Sequence, residues 1–237
     1  MIRKECDGVR WLEFELLQEF PSIRHAVVLK GREASAAVTD ANQNRVQQLL
    51  KLSAIVESKQ VHGNTIEYVE SGYVPRTGCD GLVTAEQGTG LMIKHADCQA
   101  AIFYDPVLRV IANVHCGWRG NVANIYAATL AFLKEKVGSQ PENVFVCISP
   151  SLGPSRSEFI HYKQEFPESF WGFQWKENYF NLWEISRSQL VDAGVLRSHI
   201  EIAGICTYEN TSDYFSYRRD KTAKINNATL IGLSFSA

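Results

Sequence analysis

Four short apolar segments follow one another in the centre of the chain, at residues 81–84, 91–94, 100–104 and 110–115. Glycines or the pair Asp105-Pro106 separate them, and short apolar runs between turn residues are typical of β-strands. The alternation of strands with helices is irregular in this chain. The centre therefore predicts strands of a mixed sheet rather than a regular doubly wound fold.

The flanking regions add further strands and three helices. Strands are predicted at residues 25–29, 66–69, 144–148, 200–205 and 229–233. Helices are predicted at residues 44–52, from the Gly120 turn to Gly138, and from a capping box at residues 186–189 to Gly194. Strands outnumber helices, so the predicted fold class is α/β (α+β) with mixed sheets. No linker divides residues 1–237, which predicts a single domain.

The bulk properties exclude several classes of protein. The hydrophobic fraction of 45% and the charged fraction of 21% are those of an ordinary globular chain. A net charge of −2 and a pI near 6.3 predict no general affinity for nucleic acid or anionic membranes. No apolar run approaches the ~20 residues of a membrane helix. The N-terminus lacks the apolar core of a signal peptide, and six scattered cysteines without an export signal predict a cytoplasmic setting.

His62, Cys98 and His115 are the candidate metal ligands. Zinc accepts imidazole and thiolate, and a site with three protein ligands keeps a fourth position open for water or substrate. The spacing is far from that of a zinc finger, and the alternative is that all three are satisfied core groups. Because side chains alternate along a strand, His95 is left out of the ligand set and Cys116 is interpreted as a packed thiol.

Arg119 and Asp97 lie beside these candidates in the sequence. The planar guanidinium of Arg119, near a helix start at Gly120, is suited to hold phosphate, whereas a surface ion pair is the alternative. Asp97 is a candidate proton carrier or a partner that orients a histidine, and the alternative is a turn carboxylate.

A second dense cluster, at residues 214–221, interleaves aromatic residues with arginines. Such a pattern can stack a base and bind phosphate, and a packed loop with a basic tip is the alternative. In a slightly acidic chain the cluster suits a nucleoside or another small anion better than nucleic acid.

At these residues the sequence resembles the YfiH/LACC1-type family, long labelled multicopper polyphenol oxidases or laccase-domain proteins. The resemblance extends from about Arg24 to the C-terminus, and the motif combination is highly specific. The motifs are Gln60-Val61-His62-Gly63, Ala96-Asp97-Cys98, Tyr104-Asp105-Pro106, His115 with Gly117-Trp118-Arg119-Gly120, Gly153-Pro154, Cys206-Thr207 and Phe215-Ser216-Tyr217-Arg218-Arg219-Asp220.

The resemblance implies mixed sheets sandwiched between helices, as in the cytotoxic-necrotizing-factor catalytic domain. It implies zinc at His62, Cys98 and His115 and phosphorolysis of adenosine, inosine, guanosine or methylthioadenosine, with adenosine deamination at the same site. The chain departs from the family pattern at His95, Cys116 and Ser151. The proposed ligands are intact, so these departures bear on substrate choice and rate.

The laccase label is tested by the histidine content. A four-copper laccase needs many histidines, often in His-Xaa-His pairs, and this chain has six histidines and no such pair. Only the His62/Cys98/His115 set resembles a blue-copper site, so copper is the less favoured metal.

Three other functions stay open. Cys98 and His115 could serve a metal-free cysteine hydrolase as nucleophile and base, for example in editing cell-wall precursors. A copper-dependent polyphenol oxidase is the older label, and a non-catalytic metal-binding protein is a further alternative. The predicted partners are a small nucleoside and phosphate, and the sequence carries no signal for a particular oligomeric state.

Overall fold

The fold contains fourteen strands and six α-helices in the residues that the computed structural model describes, which are 1–31, 40–70, 73, 78–222 and 226–235. The strands are β1 (Ile2–Cys6), β2 (Val9–Glu13), β3 (Ile23–Val28), β4 (Ala54–Glu57), β5 (Ile66–Tyr68), β6 (Gly81–Thr84), β7 (Thr89–His95), β8 (Gln99–Asp105), β9 (Val110–Cys116), β10 (Phe145–Ile148), β11 (Gln174–Lys176), β12 (Tyr179–Phe180), β13 (Ile200–Ile202) and β14 (Asn227–Leu233). The helices are α1 (Asp40–Leu49), α2 (Trp118–Val122), α3 (Ile125–Val137), α4 (Tyr162–Glu165), α5 (Leu182–Asp192) and α6 (Tyr217–Asp220).

Two six-stranded mixed sheets carry most of the strands. The first sheet has the order β1-β2-β3-β14-β7-β4 and the second has the order β13-β10-β8-β9-β6-β5, while β11 and β12 form a separate hairpin. Most neighbours are antiparallel, but β4 runs parallel to β7, β5 to β6 and β13 to β10. The predicted mixed-sheet fold is therefore confirmed.

The sheets pack face to face, with helices on their outer faces. Alternate residues of β8 show this, because Ile102 and Tyr104 belong to the core between the sheets, whereas Ala101 and Phe103 belong to the core shared with α3 and α5. On the other side, Val46 of α1 packs on the outer face of the first sheet. Burial on both faces makes the central strands continuously apolar, which is why their sequence pattern was so clear.

This layering positions the candidate site. Strand β7 belongs to the first sheet and β8 to the second, so the connection at residues 96–98 crosses between the sheets. Asn113 of β9 connects the second sheet to the first, because its buried side-chain amide donates hydrogen bonds to the carbonyls of Leu91 and Thr229 in the first sheet. The prediction of a single domain remains a prediction, and the close packing of the two sheets supports it.

The helix predicted from the Gly120 turn to Gly138 is instead two helices, α2 and α3. Asn124 interrupts the helical path between them, because its backbone is left-handed (φ 50°, ψ 58°). Its side chain accepts a hydrogen bond from the Ala127 N–H and so caps α3. Helix α2 already begins at Trp118, so the expectation that Gly120 precedes a helix was wrong. Gly120 and Arg119 lie inside a helix of five residues.

The capping box predicted at residues 186–189 was also wrong. Helix α5 begins one turn earlier, where the Asn181 side chain accepts from the Glu184 N–H and caps the helix. Ser186 is buried inside the helix and its hydroxyl donates to Gln99. The hairpin of β1 and β2 was not predicted, because β1 is an exposed edge strand without apolar alternation. Within the described residues, no helix is both long and apolar enough to span a membrane.

Buried His25 predicts a loss of stability in acid. Its Nε2 accepts a hydrogen bond from the Phe14 N–H at 2.8 Å, and burial lowers its pKa to about 4. The unfolded chain takes up this proton near pH 6.5, so the contribution of His25 to stability is complete above pH 6.5 and is lost as the pH falls towards 4. The expected loss is about 3 kcal/mol.

Urea unfolding at pH 7 and at pH 4.5 measures this loss. The His25→Gln variant keeps an acceptor but cannot titrate, so its unfolding free energy should fall less than that of the wild type. His161→Gln is the matched control, because His161 is exposed. Equal acid losses in wild type and His25→Gln would contradict the assignment.

Candidate metal centre

Three distant parts of the chain meet at the candidate metal centre. His62 lies in the loop after β4, Cys98 ends the connection between the sheets, and His115 lies near the end of β9. Their possible ligand atoms all lie within 4.8 Å of one another. The His62 and His115 rings are nearly perpendicular, with centroids 4.8 Å apart. The structure therefore brings together the three residues that the sequence singled out, and their role as ligands stays a prediction.

The donor set suits zinc. Bond lengths of about 2.0–2.3 Å around a tetrahedral ion place neighbouring donor atoms about 3.5 Å apart, a distance that small side-chain rotations reach from the present arrangement. His115 is buried, Cys98 is half-buried and His62 is exposed, so the group opens on the side of His62. Three donors that are open on one side match a catalytic rather than a structural zinc site.

Gly117 leaves the space that such an ion needs. A Cβ atom at this position would lie 3.0 Å from Cys98 Sγ, 3.3 Å from His62 Cδ2 and 4.0 Å from His115 Cε1. The backbone of Gly117 (φ −80°, ψ 179°) is one that any residue adopts. The need for glycine is therefore steric, and it arises from Cys98 and His62, since 4.0 Å to His115 is an ordinary contact.

We expect Gly117→Ala to lower zinc affinity by about 10–100-fold, the range seen when the surroundings of a ligand are disturbed. The added methyl group would press on the thiol and the His62 ring without straining the backbone. Zinc titration against a competing chelator measures the effect. Gly120→Ala is the matched control, since its Cβ would make only ordinary contacts. Wild-type zinc affinity in Gly117→Ala would contradict this account of the site.

Asp80 organises two of the three candidate ligands. Its Oδ1 accepts from the His62 N–H and from His115 Nδ1, both at 2.9 Å, and its Oδ2 accepts from the N–H groups of Val61 and Gly63 at 3.1 and 2.8 Å. The His62 backbone is left-handed (φ 63°), and its N–H bond to Asp80 holds it there. With Nδ1 bonded to Asp80, His115 presents Nε2 as its ligand nitrogen.

Gln60 connects the loop at residues 61–63 to the first sheet through hydrogen bonds. Its side-chain amide donates to the Lys94 carbonyl at 2.7 Å, and its oxygen accepts from the Lys94 N–H at 3.1 Å. This pair of bonds imitates one step of a β-ladder. The loop that carries His62 is therefore fixed both to β7 and to Asp80.

The charges in the centre reinforce one another. Burial opposes ionisation of Cys98, but hydrogen bonding to His115 and His62 outweighs burial and lowers the pKa of the thiol. Burial likewise opposes protonation of His115, but Asp80 and Cys98 raise its pKa above the ordinary value. The pKa of Asp80 is lowered, because hydrogen bonds from His115 and the loop outweigh its burial. The arrangement thus favours a thiolate, which is the form of cysteine that binds metal.

A pocket of about 250 Å³ lies beside His62 and Cys98. This volume is just below the range of typical small-molecule sites, which span about 300–1,000 Å³. Its apolar wall includes Trp118 and Phe159, whose rings pack edge to face. Phe159 belongs to an aromatic cluster built from residues 159–185, against which Trp118 packs, and the sequence patterns did not predict this cluster. The density of aromatic residues between 159 and 183 was the available signal.

Two arginines line the pocket. Arg119 is exposed and its guanidinium lies 4.2 Å from the centroid of the Trp118 ring. Among the described residues, no carboxylate or carbonyl is bonded to this guanidinium, so it is available to an anion. Arg218 was not singled out as a site residue, and its Nη1 donates to the Glu158 carbonyl at 3.0 Å.

The rest of the cluster at residues 214–221 plays a structural part. Arg219 is engaged by three backbone carbonyls and by Asp220, while Tyr214 and Phe215 are buried. Only Tyr217 and Arg218 of this cluster line the pocket.

Three other sequence candidates have clear positions. Asp97 lines the pocket, and both its carboxylate oxygens accept hydrogen bonds from the protein. His95 is buried and is not one of the three grouped donors, with Nε2 2.9 Å from Thr229 Oγ1. Cys116 is buried in the core beneath α3, as the alternation along β9 predicted.

Comparisons with known proteins agree with the fold and motifs. Residues 27–234 match the family described as multi-copper polyphenol oxidoreductase laccase. A Bacteroides thetaiotaomicron protein named purine nucleoside phosphorylase is 30% identical and covers 89% of this chain and 91% of its own length. Purine nucleoside phosphorylase YlmD of Bacillus subtilis is 26% identical over 89% of this chain and 78% of its own length.

Solved structures show the same fold. The YfiH protein of Bacillus licheniformis superposes with a TM-score of 0.85 at 22% identity, over 98% of this chain and 99% of that one. YlmD from Geobacillus stearothermophilus superposes with a TM-score of 0.83 at 24% identity, over 98% of both chains.

Proposed function

The chain belongs to the multi-copper polyphenol oxidoreductase laccase family, and from this premise we propose that it is a zinc-dependent purine nucleoside phosphorylase. The observation that carries the proposal is the convergence of His62, Cys98 and His115 beside a pocket that offers the unpaired guanidinium of Arg119. The name of the curated relatives supports the same activity. We propose adenosine, inosine, guanosine and methylthioadenosine as substrates, together with phosphate.

In this proposal His62, Cys98 and His115 hold the zinc ion, and Asp80 orients both histidines. Zinc, when bound, supplies a Lewis acid with an open coordination position. Arg119 binds phosphate through its planar fork. Trp118 and Phe159 offer aromatic surface for the purine and exclude water from that side of the pocket.

The proposed reaction is a displacement at the ribose C1′. A phosphate oxygen forms a bond to C1′ while the bond from C1′ to the purine nitrogen breaks, and the purine gains a proton as it leaves. The products are the free base and ribose 1-phosphate, or 5-methylthioribose 1-phosphate when the substrate is methylthioadenosine. Cys98 acts here as a ligand, and Arg119 places the attacking phosphate. Adenosine deamination in the same pocket, with release of ammonia, is a further part of the proposal.

The positions of the other four histidines do not favour a four-copper oxidase. His25 and His95 are each bonded within the core, His199 stacks on Phe145, and His161 is exposed. In the described part of the chain, one group of three His, Cys, Asp or Glu side chains is arranged to hold a metal ion. Two histidines and one cysteine suit a single ion, zinc or copper, and not a cluster of four.

Phosphate-dependent release of hypoxanthine from inosine tests the proposal. The assay uses protein whose zinc content has been measured, with and without inorganic phosphate, and it detects both hypoxanthine and ribose 1-phosphate. Parallel reactions with adenosine measure ammonia. Absence of phosphate-dependent release from zinc-loaded protein, across the four proposed nucleosides, would reject the phosphorylase.

A metal-free cysteine hydrolase is the second candidate, favoured by one observation. His115 lies between Cys98 and Asp80, and its Nδ1 is bonded to the Asp80 carboxylate at 2.9 Å. In cysteine hydrolases a nucleophile, a base and an orienting group follow in this order, which corresponds here to Cys98, His115 and Asp80. Metal content separates the candidates. Hydrolysis of an amide by zinc-free protein, lost after alkylation of Cys98, would favour the hydrolase.

A location in the cytoplasm is also part of the proposal. All six cysteines are free, as expected for a chain in a reducing compartment.

A further inference from the structure

The Asp97 carboxylate joins the segments that surround the pocket. Its Oδ2 accepts a hydrogen bond from the Arg218 N–H at 2.6 Å, and its Oδ1 accepts from the Thr207 hydroxyl at 2.7 Å. The Asp97 carbonyl accepts from the Leu152 N–H at 2.9 Å. Two distant parts of the chain, one around Leu152 and one at residues 207–218, therefore meet at Asp97, which itself precedes Cys98.

The local backbone depends on these bonds. Asp97 is left-handed (φ 82°), a conformation that asparagine and aspartate tolerate better than other residues with side chains. Helix α6, which carries Tyr217 and Arg218 into the pocket, has only four residues. So short a helix has little stability of its own, and its position relies on contacts with the rest of the protein. The bond from the Arg218 N–H to Asp97 is such a contact.

We infer that Asp97 is a positioning residue that couples the pocket arginine Arg218 to the loop of the candidate ligand Cys98, and that it is not the proton carrier of the reaction. Both carboxylate oxygens of Asp97 accept hydrogen bonds from protein donors. One of these bonds links helix α6, which lines the pocket, to the segment that carries Cys98. The kinetic part of this inference rests on the proposed phosphorylase, whereas the structural part does not. Arg218 is then held where its guanidinium can contact the anionic or ribose part of a substrate.

Asp97→Asn and Asp97→Ala separate positioning from proton transfer. Asparagine tolerates the left-handed backbone. Its Oδ1 can accept the hydrogen bond from the Arg218 N–H, and its Nδ2 can donate a hydrogen bond to the Thr207 hydroxyl oxygen. Asparagine can therefore keep both connections but cannot carry a proton. Alanine loses both connections and adds backbone strain.

The positioning role predicts that kcat/KM for phosphorolysis stays within about 10-fold of wild type in Asp97→Asn and falls about 100-fold in Asp97→Ala, as expected when pocket groups are misplaced. The pH profile of Asp97→Asn should keep the shape of the wild-type profile. A proton carrier would instead lose about 10²–10⁴-fold in both variants. Equal losses in both variants, with one limb of the pH profile missing, would overturn the inference.

Amide hydrogen exchange of peptides that contain Arg218 provides a readout besides activity. Exchange should speed up in Asp97→Ala and stay near the wild-type rate in Asp97→Asn, whether or not the protein turns over nucleosides. Thr207→Val removes the partner of Oδ1, and its effect should not add to that of Asp97→Ala. Unchanged exchange in Asp97→Ala would overturn the coupling. Missing turnover in wild type, with the expected exchange pattern, would instead reject the proposed function alone.

Discussion

Replacing Cys98 by alanine is expected to remove zinc from the purified protein and to abolish phosphorolysis. Cys98 is the sole thiol of the three-residue group, and its surroundings favour the thiolate. Structural zinc in zinc-finger peptides has apparent binding free energies of about 10–16 kcal/mol, which we take as the scale for this site. One ligand among three or four then accounts for about 3–5 kcal/mol, so zinc affinity should fall by about 10²–10⁴-fold. Metal analysis after dialysis and a chelator competition measure this loss.

Cys206→Ala is the control for the loss of a thiol. Cys206 is half-buried like Cys98, and its Sγ accepts a hydrogen bond from the Gly153 N–H at 3.2 Å. This variant should keep one zinc ion per chain. Thermal unfolding of both variants shows whether each retains its fold. Stoichiometric zinc in folded Cys98→Ala would contradict the assigned ligand set, and an active zinc-free wild type would favour the cysteine hydrolase.

Replacing Asp80 by asparagine is expected to weaken both the fold and the metal centre. The amide can offer one oxygen, whereas the carboxylate accepts four hydrogen bonds from the loop at residues 61–63 and from His115. The NH₂ group of asparagine would face backbone N–H donors. Hydrogen bonds to a charged group contribute about 1.5–3 kcal/mol each, so a loss of about 2–5 kcal/mol in unfolding free energy is expected. Zinc affinity should fall by about 10–100-fold.

Urea unfolding of the metal-free protein and a zinc titration measure the two effects of Asp80→Asn separately. Asp105→Asn is the matched control, because Asp105 is also buried and also accepts backbone N–H bonds, from Val107 and Leu108, at the opposite end of β8 from Cys98. It should lower stability and leave zinc affinity unchanged. Equal losses of zinc affinity in both variants would show that destabilisation, and not the orientation of the histidines, is the cause.

Much of the fold could be predicted from local patterns. The segments that became β6 to β9 are buried on both faces, so their apolar runs are visible without any knowledge of their neighbours. The edge strand β1 is exposed, and such a strand leaves no comparable pattern. The two helix errors have a shared cause, because Asn124 and Asn181 each cap a helix through their side chains and a capping position depends on the conformation adopted.

The candidate ligands were predictable by residue type and motif, but the residues that hold them were not. Asp80 reads as a turn residue before a strand, and nothing near it in the sequence pairs it with position 115. Gly117 reads as a flexible residue, whereas its role depends on the side chains of Cys98 and His62, which come from other segments. Arg218 and Arg219 are adjacent and alike in sequence, yet one lines the pocket and the other is bound to backbone carbonyls.

Local patterns in the chain were enough to predict the strand-rich mixed composition, the apolar core and the residue types that could bind zinc and phosphate, because each is a property of a short segment. Which of those residues meet depends on contacts between segments that are distant in the sequence. The bond between the Arg218 N–H and Asp97 spans 121 residues, and the bond between His115 and Asp80 spans 35. The first contact forms at the connection from β7 to β8, which crosses between the sheets, and the second joins the start of β6 to the neighbouring strand β9 within the second sheet. The packing of these layers places the ligands, their supports and the pocket together.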